Sequence, residues 1–462
     1  MKLKTLYKKL TLANILNLAG IKLFGFSRRI CGKLILWAIA LDPSRAHFKK
    51  NLAYIGIAYD EPDNSPTSSA SQSPDITPRK NVPYCSIPEG CKLLSKKITF
   101  FDVNQTIRLS LPKVINHDFI VAEEYKCEAP LPDTYLAELN NVTVFAGTDL
   151  ILAEGIALYD EIERNSTEQY AIKSPVIEKV FPEMLTLKTR QAPRFYDRTI
   201  ECGIHFAKDH SVNYFHWIVE CLPRLSLISH LDKKIPLLVD GHLHSQAFEA
   251  LALINAGERD IIKLQRNKSY LVQKLYYPSQ LSVVHDNYNL PYYQKDAVYS
   301  PKAIHFVRNA VLEKLNLTAQ KPRRKIFVSR KTSNYRQLLN STKVENYLVA
   351  QGFEIVFPEN LSFFAQVRLF SEAKIIIGQS GAGMTNFIFA PTECNVLMLY
   401  NDAPTNSLHL FGALATAINI NLEFLLGKTA LPCPGIPLLH TDFHIDLNVL
   451  ITFLEKSGWL NE

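Results

Sequence analysis

From Lys325 onward the chain alternates between two hydrophobic periods. Lys325–Ser329 (KIFVS) and Phe353–Phe357 (FEIVF) are short β-branched and aromatic runs. Between them, Lys343–Gln351 has helical spacing and closes at Gly352. Asn360 is placed to cap a helix over Leu361–Glu372. Ile375, Ile376 and Ile377 then form a run apolar on both faces, as a strand in the middle of a sheet requires. Gly378, Gly381 and Gly383 predict a tight turn, Met384–Phe389 one or two helical turns before Pro391, and Asn395–Tyr400 another strand. Strands and helices in this order and spacing predict a parallel sheet covered by helices. Ser407–Ala417 and Asp446–Lys456 are the expected closing helices.

Upstream the pattern changes. ITFFDV, TIRLSL, FIVAEEY, NVTVFAG and DLILAEG follow one another between Lys97 and Ile162 and predict a β-rich entry region. Ile235–Asp240 and Tyr270–Tyr277 read as strands, and His244–Asn255 and Pro301 to about Leu315 as helices. The basic, Pro-containing stretch Thr318–Arg324 marks a domain boundary. Asp60–Lys80 is rich in Ser, Pro and Asp and buries too little to offset its ordering entropy. The expected organisation is therefore an N-terminal arm (1–59), a linker (60–95), a first domain (96–320) and a second (321–462).

Composition changes this picture in one place. The 462 residues carry a net charge of +7, but Met1–Leu41 holds eight Lys and Arg and no acid, which leaves the rest of the chain at −1. The body offers no reason to propose nucleic acid as a partner. Leu34–Leu41 is far below the roughly 18–20 residues that span a bilayer. Leu3, Leu6, Leu10, Ile15 and Leu18 among lysines suit an amphipathic helix on an anionic membrane surface, and equally a basic helix packed on the protein. The eight cysteines form no CxxC pair and no zinc-site spacing, so reduced cysteines and a cytoplasmic chain, peripheral at the inner face of the membrane, are expected.

Two stretches carry candidate chemistry. A strand, a glycine turn and a helix start at Gly378–Thr385 present backbone N–H groups to an anion. No Gly-Lys-Ser/Thr follows, as a P-loop needs, and no G-x-G-x-x-G is present, so neither a P-loop nor a dinucleotide cofactor is indicated. Arg330, Lys331 and Arg336 follow another strand and suit a diphosphate. The second stretch is Asn213–Ser226 (NYFHWIVECLPRLS). His216, Glu220 and Arg224 lie four apart, Asn213 can cap the helix, and Pro223 either interrupts it or begins a second segment. His216 and Glu220 form a candidate acid–base pair; a solvated Glu220–Arg224 pair is the plainer alternative. The tyrosines of Tyr288–Tyr299 could stack on sugar faces.

NYFHWIVECLPRL, VSRKTSNYRQLLN, the Gln366-containing helix and IIGQSGAGMTN stand in the order found in glycosyltransferase family 61, and over Asn213–Tyr400 the chain resembles that family. The resemblance implies an α/β, GT-B-like architecture: two Rossmann-like domains facing a cleft, beside the β-rich N-terminal region. It implies an inverting, metal-independent transfer from a nucleotide-sugar donor to a glycan or glycolipid acceptor, with no further cofactor, in polysaccharide or capsule assembly. By motif position, Glu220 and His216 are the catalytic candidates, with Glu220 favoured as base. Ser329, Arg330, Arg336 and Asn340 match the Ser-Arg…Arg…Asn motif. Arg330, Arg336, Ser380, Gly381, Ala382, Gly383, Met384, Thr385 and Asn386 are the expected donor-binding residues. Many members have His where this chain has Ser380, which removes an imidazolium charge. That departure is the best argument for the alternative, a catalytically inactive glycan- or nucleotide-binding module.

Because positive charge is concentrated in Met1–Leu41, we expect salt-sensitive binding to anionic vesicles that is lost when this segment is deleted. Unchanged vesicle binding after the deletion rules the arm out as the membrane contact.

Overall fold

The computed structural model describes residues 79–110, 113–115, 127–161, 174–181, 184–188, 196–255, 257–284, 297–318, 321–330, 335–403, 406, 408–430 and 437–460. The basic arm, residues 60–78, the FIVAEEY run, Lys331 and most of the tyrosine-rich stretch lie outside them.

Leu237–Asp240 is buried throughout, and Arg198–His205 and Ser269–Pro278 are buried toward their carboxyl ends. With Ile261–Leu264 they form a parallel group in the order 261–264, 237–240, 198–205, 269–278. The segment after Arg198–His205 is helical over 214–228, and the Ser245–Asn255 helix links the next pair of strands. Thr134–Phe145 pairs antiparallel with Ser269–Pro278 and carries the sheet into short antiparallel strands, among them Ile151–Ala153 and Met184–Lys188. This is the expected β-rich entry, fused edge to edge with the parallel group.

Within the span expected to be linker, Arg79–Cys85 is a strand and Ile87–Leu93 a helix. Pro83 and Pro88 read as linker punctuation, but Val82, Ile87 and Cys91 bury completely or nearly so and tie the segment to the sheet. The linker composition stops short of them.

The second sheet runs Glu354–Val356, Arg324–Val328, Ala373–Gln379, Asn395–Asn401, Asn421–Thr429, Phe443–His444. Its first five strands are parallel. Lys113–Val114 adds to it beside Asn421–Thr429, so the entry region contributes to both sheets. From Arg324–Val328 the chain moves outward to Glu354–Val356, then crosses back to Ala373–Gln379 on the other side. The strand order therefore reverses between Arg324–Val328 and Ala373–Gln379. Open parallel sheets bind ligands beyond the carboxyl ends of strands at such a reversal.

One helix starts later than the sequence suggests. Pro358–Asn360 forms a tight turn of its own and Leu361 is extended, so Ser362, not Asn360, caps Phe363–Ser371 by accepting from Ala365 N at 3.2 Å. Among the described residues no helix is long and apolar enough to cross a membrane.

Gly378 lies opposite Val328 where these two strands end. A Cβ there would stand 2.3 Å from Met384 Sδ and 2.8 Å from Val328 Cβ. We expect Gly378→Ala to cost about 1–3 kcal/mol of stability through overpacking, read as a lowered denaturant midpoint at unchanged slope. An unchanged midpoint means that the strand pair relaxes freely.

Candidate active site

Arg330 leaves the carboxyl end of Arg324–Val328 and the glycine turn leaves that of Ala373–Gln379, so both stand at the reversal. They are in contact. A Cβ on Gly381 would come within 1.4 Å of Arg330 Nη1, so glycine is needed for the guanidinium to lie on the backbone of the turn. The following helix, Ala382–Phe389, is wound tightly, with Met384 N donating to Gly381 O at 2.9 Å. Burial, and then the charge of Arg336, pull the Arg330 guanidinium down to about 10. Arg336 holds a left-handed conformation (φ 55°) and its N–H donates to His440 O at 3.1 Å. Its Nε and Thr385 Oγ1 are buried without a hydrogen-bond partner. Two crowded guanidiniums and unsatisfied donors beside a backbone turn are what an anion would relieve.

The other expected donor residues divide. Ser380 is buried, and its N–H continues the ladder to Leu399 O at 2.9 Å. Ala382 and Gly383 are half-buried at the turn. Met384 fills the space beneath it, and Asn386 turns its amide inward. Of the wider motif, Ser329 donates to Glu345 Oε1 at 3.0 Å, and Asn340 exchanges hydrogen bonds with the backbone of Ile445 at 2.8 and 3.2 Å. Both brace the strand end and the loop.

The second stretch begins with the expected cap: Asn213 Oδ1 accepts from Phe215 N at 3.0 Å. The helix then widens. Leu222 N–H reaches back five residues to Trp217 C=O, and Pro223 opens a tighter segment, Leu222–Ile228. Within the wide turn His216 Nδ1 and Glu220 Oε2 are 2.5 Å apart. Glu220 is 3% exposed and His216 14%. Burial alone would raise the Glu220 carboxyl, but Lys208 and then His216 bring it below its usual range. Lys208 Nζ stands 3.7 Å from Glu220 Oε1 and 2.8 Å from Glu161 Oε1.

Arg224 does not pair with Glu220 among the described ion pairs. The wide turn breaks the four-residue register, and Arg224 donates to Pro278 O and His205 O, both at 3.0 Å, between the rings of Phe206 and Tyr277. It fastens the helix to two strand ends. His205 beside it is fully buried, and burial followed by Arg224 lowers its imidazole to about 3.

The two stretches meet through Tyr214, two residues before His216. Its hydroxyl donates to Asn386 Oδ1 at 2.5 Å. Asn386 Nδ2 donates to Gln366 Oε1 at 2.7 Å, and Gln366 Nε2 to Pro358 O at 2.9 Å. Beside this chain of bonds Phe215 packs edge to face on Phe411, and Phe387 packs on Phe411 at a tilt. The His216–Glu220 pair and the glycine turn with its arginines are thus tied to one another by this chain of hydrogen bonds. The family model for Glycosyltransferase 61 matches residues 214–397. Over that span the chain is similar to this family.

Curated relatives match a shorter stretch. Over 99 residues the chain is 31% identical to the EGF domain-specific O-linked N-acetylglucosamine transferase of Bos taurus, covering 20% of this chain and 19% of that protein. The same-named protein of Canis lupus familiaris is 35% identical over 100 residues, with the same coverage. That of Gallus gallus is 30% identical over 99, covering 20% of this chain and 18% of its own. The chain spans about a fifth of the length of the curated relatives it matches. The span matched by the family model begins at Tyr214, so Lys208 and Glu161 lie upstream of it. Neither was singled out from the sequence. Lys208 had a usable signal, a charged residue just past a strand, but the strand Arg198–His205 itself went unread because Glu201 and Gly203 break its pattern.

Gly381→Ala displaces a flexible guanidinium, not packed backbone. We expect it to keep the fold and to weaken binding of a nucleoside diphosphate, as Arg330→Ala does, by about 1.5–3 kcal/mol. Calorimetry should show the phosphate-free nucleoside binding wild type and both variants alike. Equal losses for both ligands point to misfolding.

Proposed function

We propose that this chain is a glycosyltransferase that moves a sugar from a nucleotide-sugar donor to a hydroxyl acceptor, with inversion at the anomeric carbon. The observation that carries the reading is the Tyr214–Asn386 bond, which holds an acid–base dyad and an anion-binding turn to one crevice. In the proposed arrangement the two sheets are the halves of a GT-B fold, the donor diphosphate lies against Arg330, Arg336 and the turn Gly381–Thr385, and the acceptor approaches His216.

Burial decides the roles within the dyad. Glu220 is nearly inaccessible, with Oε2 on His216 and Oε1 facing Lys208. Held as an anion, it accepts the Nδ1 proton and leaves Nε2 of His216 with a lone pair. We therefore assign the base to His216 and the orienting role to Glu220, although a family acid at 220 favours the reverse on sequence grounds. Nε2 takes the acceptor hydroxyl proton while the acceptor oxygen bonds to the anomeric carbon. The bond from that carbon to the phosphate oxygen breaks, and its electron pair departs with the nucleoside diphosphate. Glu220 stabilises the imidazolium as it forms, and the guanidinium of Arg330 and the backbone N–H groups of the turn stabilise the leaving diphosphate.

The named relatives suggest a nucleoside-diphosphate N-acetylglucosamine as the first donor to screen, against protein and polysaccharide acceptors. Polysaccharide or capsule assembly, with no metal requirement, is the biological setting proposed. We expect His216→Ala to lower transfer about 10²–10⁴-fold while diphosphate binding persists, with partial rescue by added imidazole. Glu220→Gln should also slow transfer and should not respond to imidazole. Near-normal turnover in His216→Ala with a dead Glu220→Gln reverses the roles. Donor binding with no transfer to any acceptor favours the inactive binding module.

A further inference from the structure

We propose that Lys208 is a positioning residue of this site, holding the Glu220 carboxylate against His216 and balancing its charge in the interior. The proposal rests on the dyad reading above. Lys208 follows the strand Arg198–His205, Glu161 follows the strand Ile156–Leu158, and Glu220 lies in the wide helical turn, so three separate elements bring these side chains together. Lys208 is 3% exposed, with Glu161 at 2.8 Å and Glu220 at 3.7 Å. These two carboxylates offset the desolvation of the buried ammonium. It meets the Glu220 oxygen that His216 leaves, which fixes the rotation of the carboxylate and aims Oε2 at Nδ1.

The surrounding charges leave this task to Lys208. Glu220 is faced by Lys208, His216 and Glu161, and Lys208 by Glu161, Glu220 and Asp149. Asp209 accepts from Thr148 and Tyr159 at 2.9 and 2.8 Å, and burial followed by Asp149 drives it strongly upward, toward its neutral form. Asp149 in turn accepts from Tyr277 and Gln280. Tyr299, which also faces Glu220, is held neutral by burial. The His210 ring lies 5.2 Å from that of His216. Lys208 is thus the lysine that offsets the burial of Glu220. Without it, the Glu220–His216 pair takes up a proton at higher pH, whichever of the two receives it.

The test is carried out on the full chain, with two readouts: the acidic limb of the pH–rate profile, and the NMR titration of the His216 ring recorded without substrate. Lys208→Met should move both upward by about one pH unit or more. Glu161→Gln removes a competing anion and should move both downward. Lys208→Arg should return them toward wild type, which a packing role alone would not explain. If Lys208→Met fails to fold, Glu161→Gln decides: a downward move supports the proposal and no move overturns it. A ring titration that shifts as described in a protein showing no transfer overturns the transferase reading and leaves the Lys208 coupling standing. An unmoved titration in an enzyme that depends on His216 overturns the Lys208 proposal alone.

Discussion

The hydroxyl of Tyr214 on the amide of Asn386 is the contact on which the site depends. It comes from the turn of helix that carries His216 and ends on the short helix that follows the glycine turn. Asn386 has both ends committed, accepting from Tyr214 and donating to Gln366, which donates in turn to backbone carbonyls before the Phe363–Ser371 helix. A buried chain of this kind tolerates little displacement, because each broken link strands a polar group in the interior. The distance between the His216–Glu220 pair and the glycine turn is therefore set by hydrogen bonds, with the aromatic packing of Phe215, Phe411 and Phe387 as support.

Around that bridge, charge is distributed unevenly. On the helix side Glu220 has Lys208 as counter-ion, and Lys208 has Glu161. On the turn side two arginines crowd one another, and Arg336 Nε stays unsatisfied. A charge already compensated can position and exchange a proton without moving. A charge in excess invites a ligand of opposite sign. The two halves of the site thus differ in kind, one neutralised within the protein and one carrying charge in excess.

Much of the second sheet was legible. Ile375–Ile377, Asn395–Tyr400 and Lys325–Ser329 are β-branched or apolar runs bounded by turn residues, and all three are strands. Their periodicity and the glycine spacing also brought out Arg330 and the turn. The asparagine cap at 213 and the fresh start at Pro223 could be read residue by residue. Arg198–His205 and Asn421–Thr429 were not seen, because their polar and glycine positions are excused only by neighbours distant in sequence. For the same reason Lys208 and Glu161 stayed hidden: 47 residues separate them, and a salt bridge leaves no periodic trace. A regular helix would allow the alternative Glu220–Arg224 surface pair, and the wide turn breaks the register that pair needs.

That wide turn sets a limit on how such a site can be transplanted. One additional residue in a helical turn rotates everything beyond it by about 100° relative to what precedes it. Tyr214 and His216 thereby keep the heading of the first segment, while Pro223, Arg224 and Leu225 take another and reach the strand ends. A regular helix carrying the same letters could satisfy one of these headings and would forfeit the other. The motif is consequently not a four-residue spacing that any helix can display. It is a joint between two helical segments, and a designer copying it would have to copy the joint.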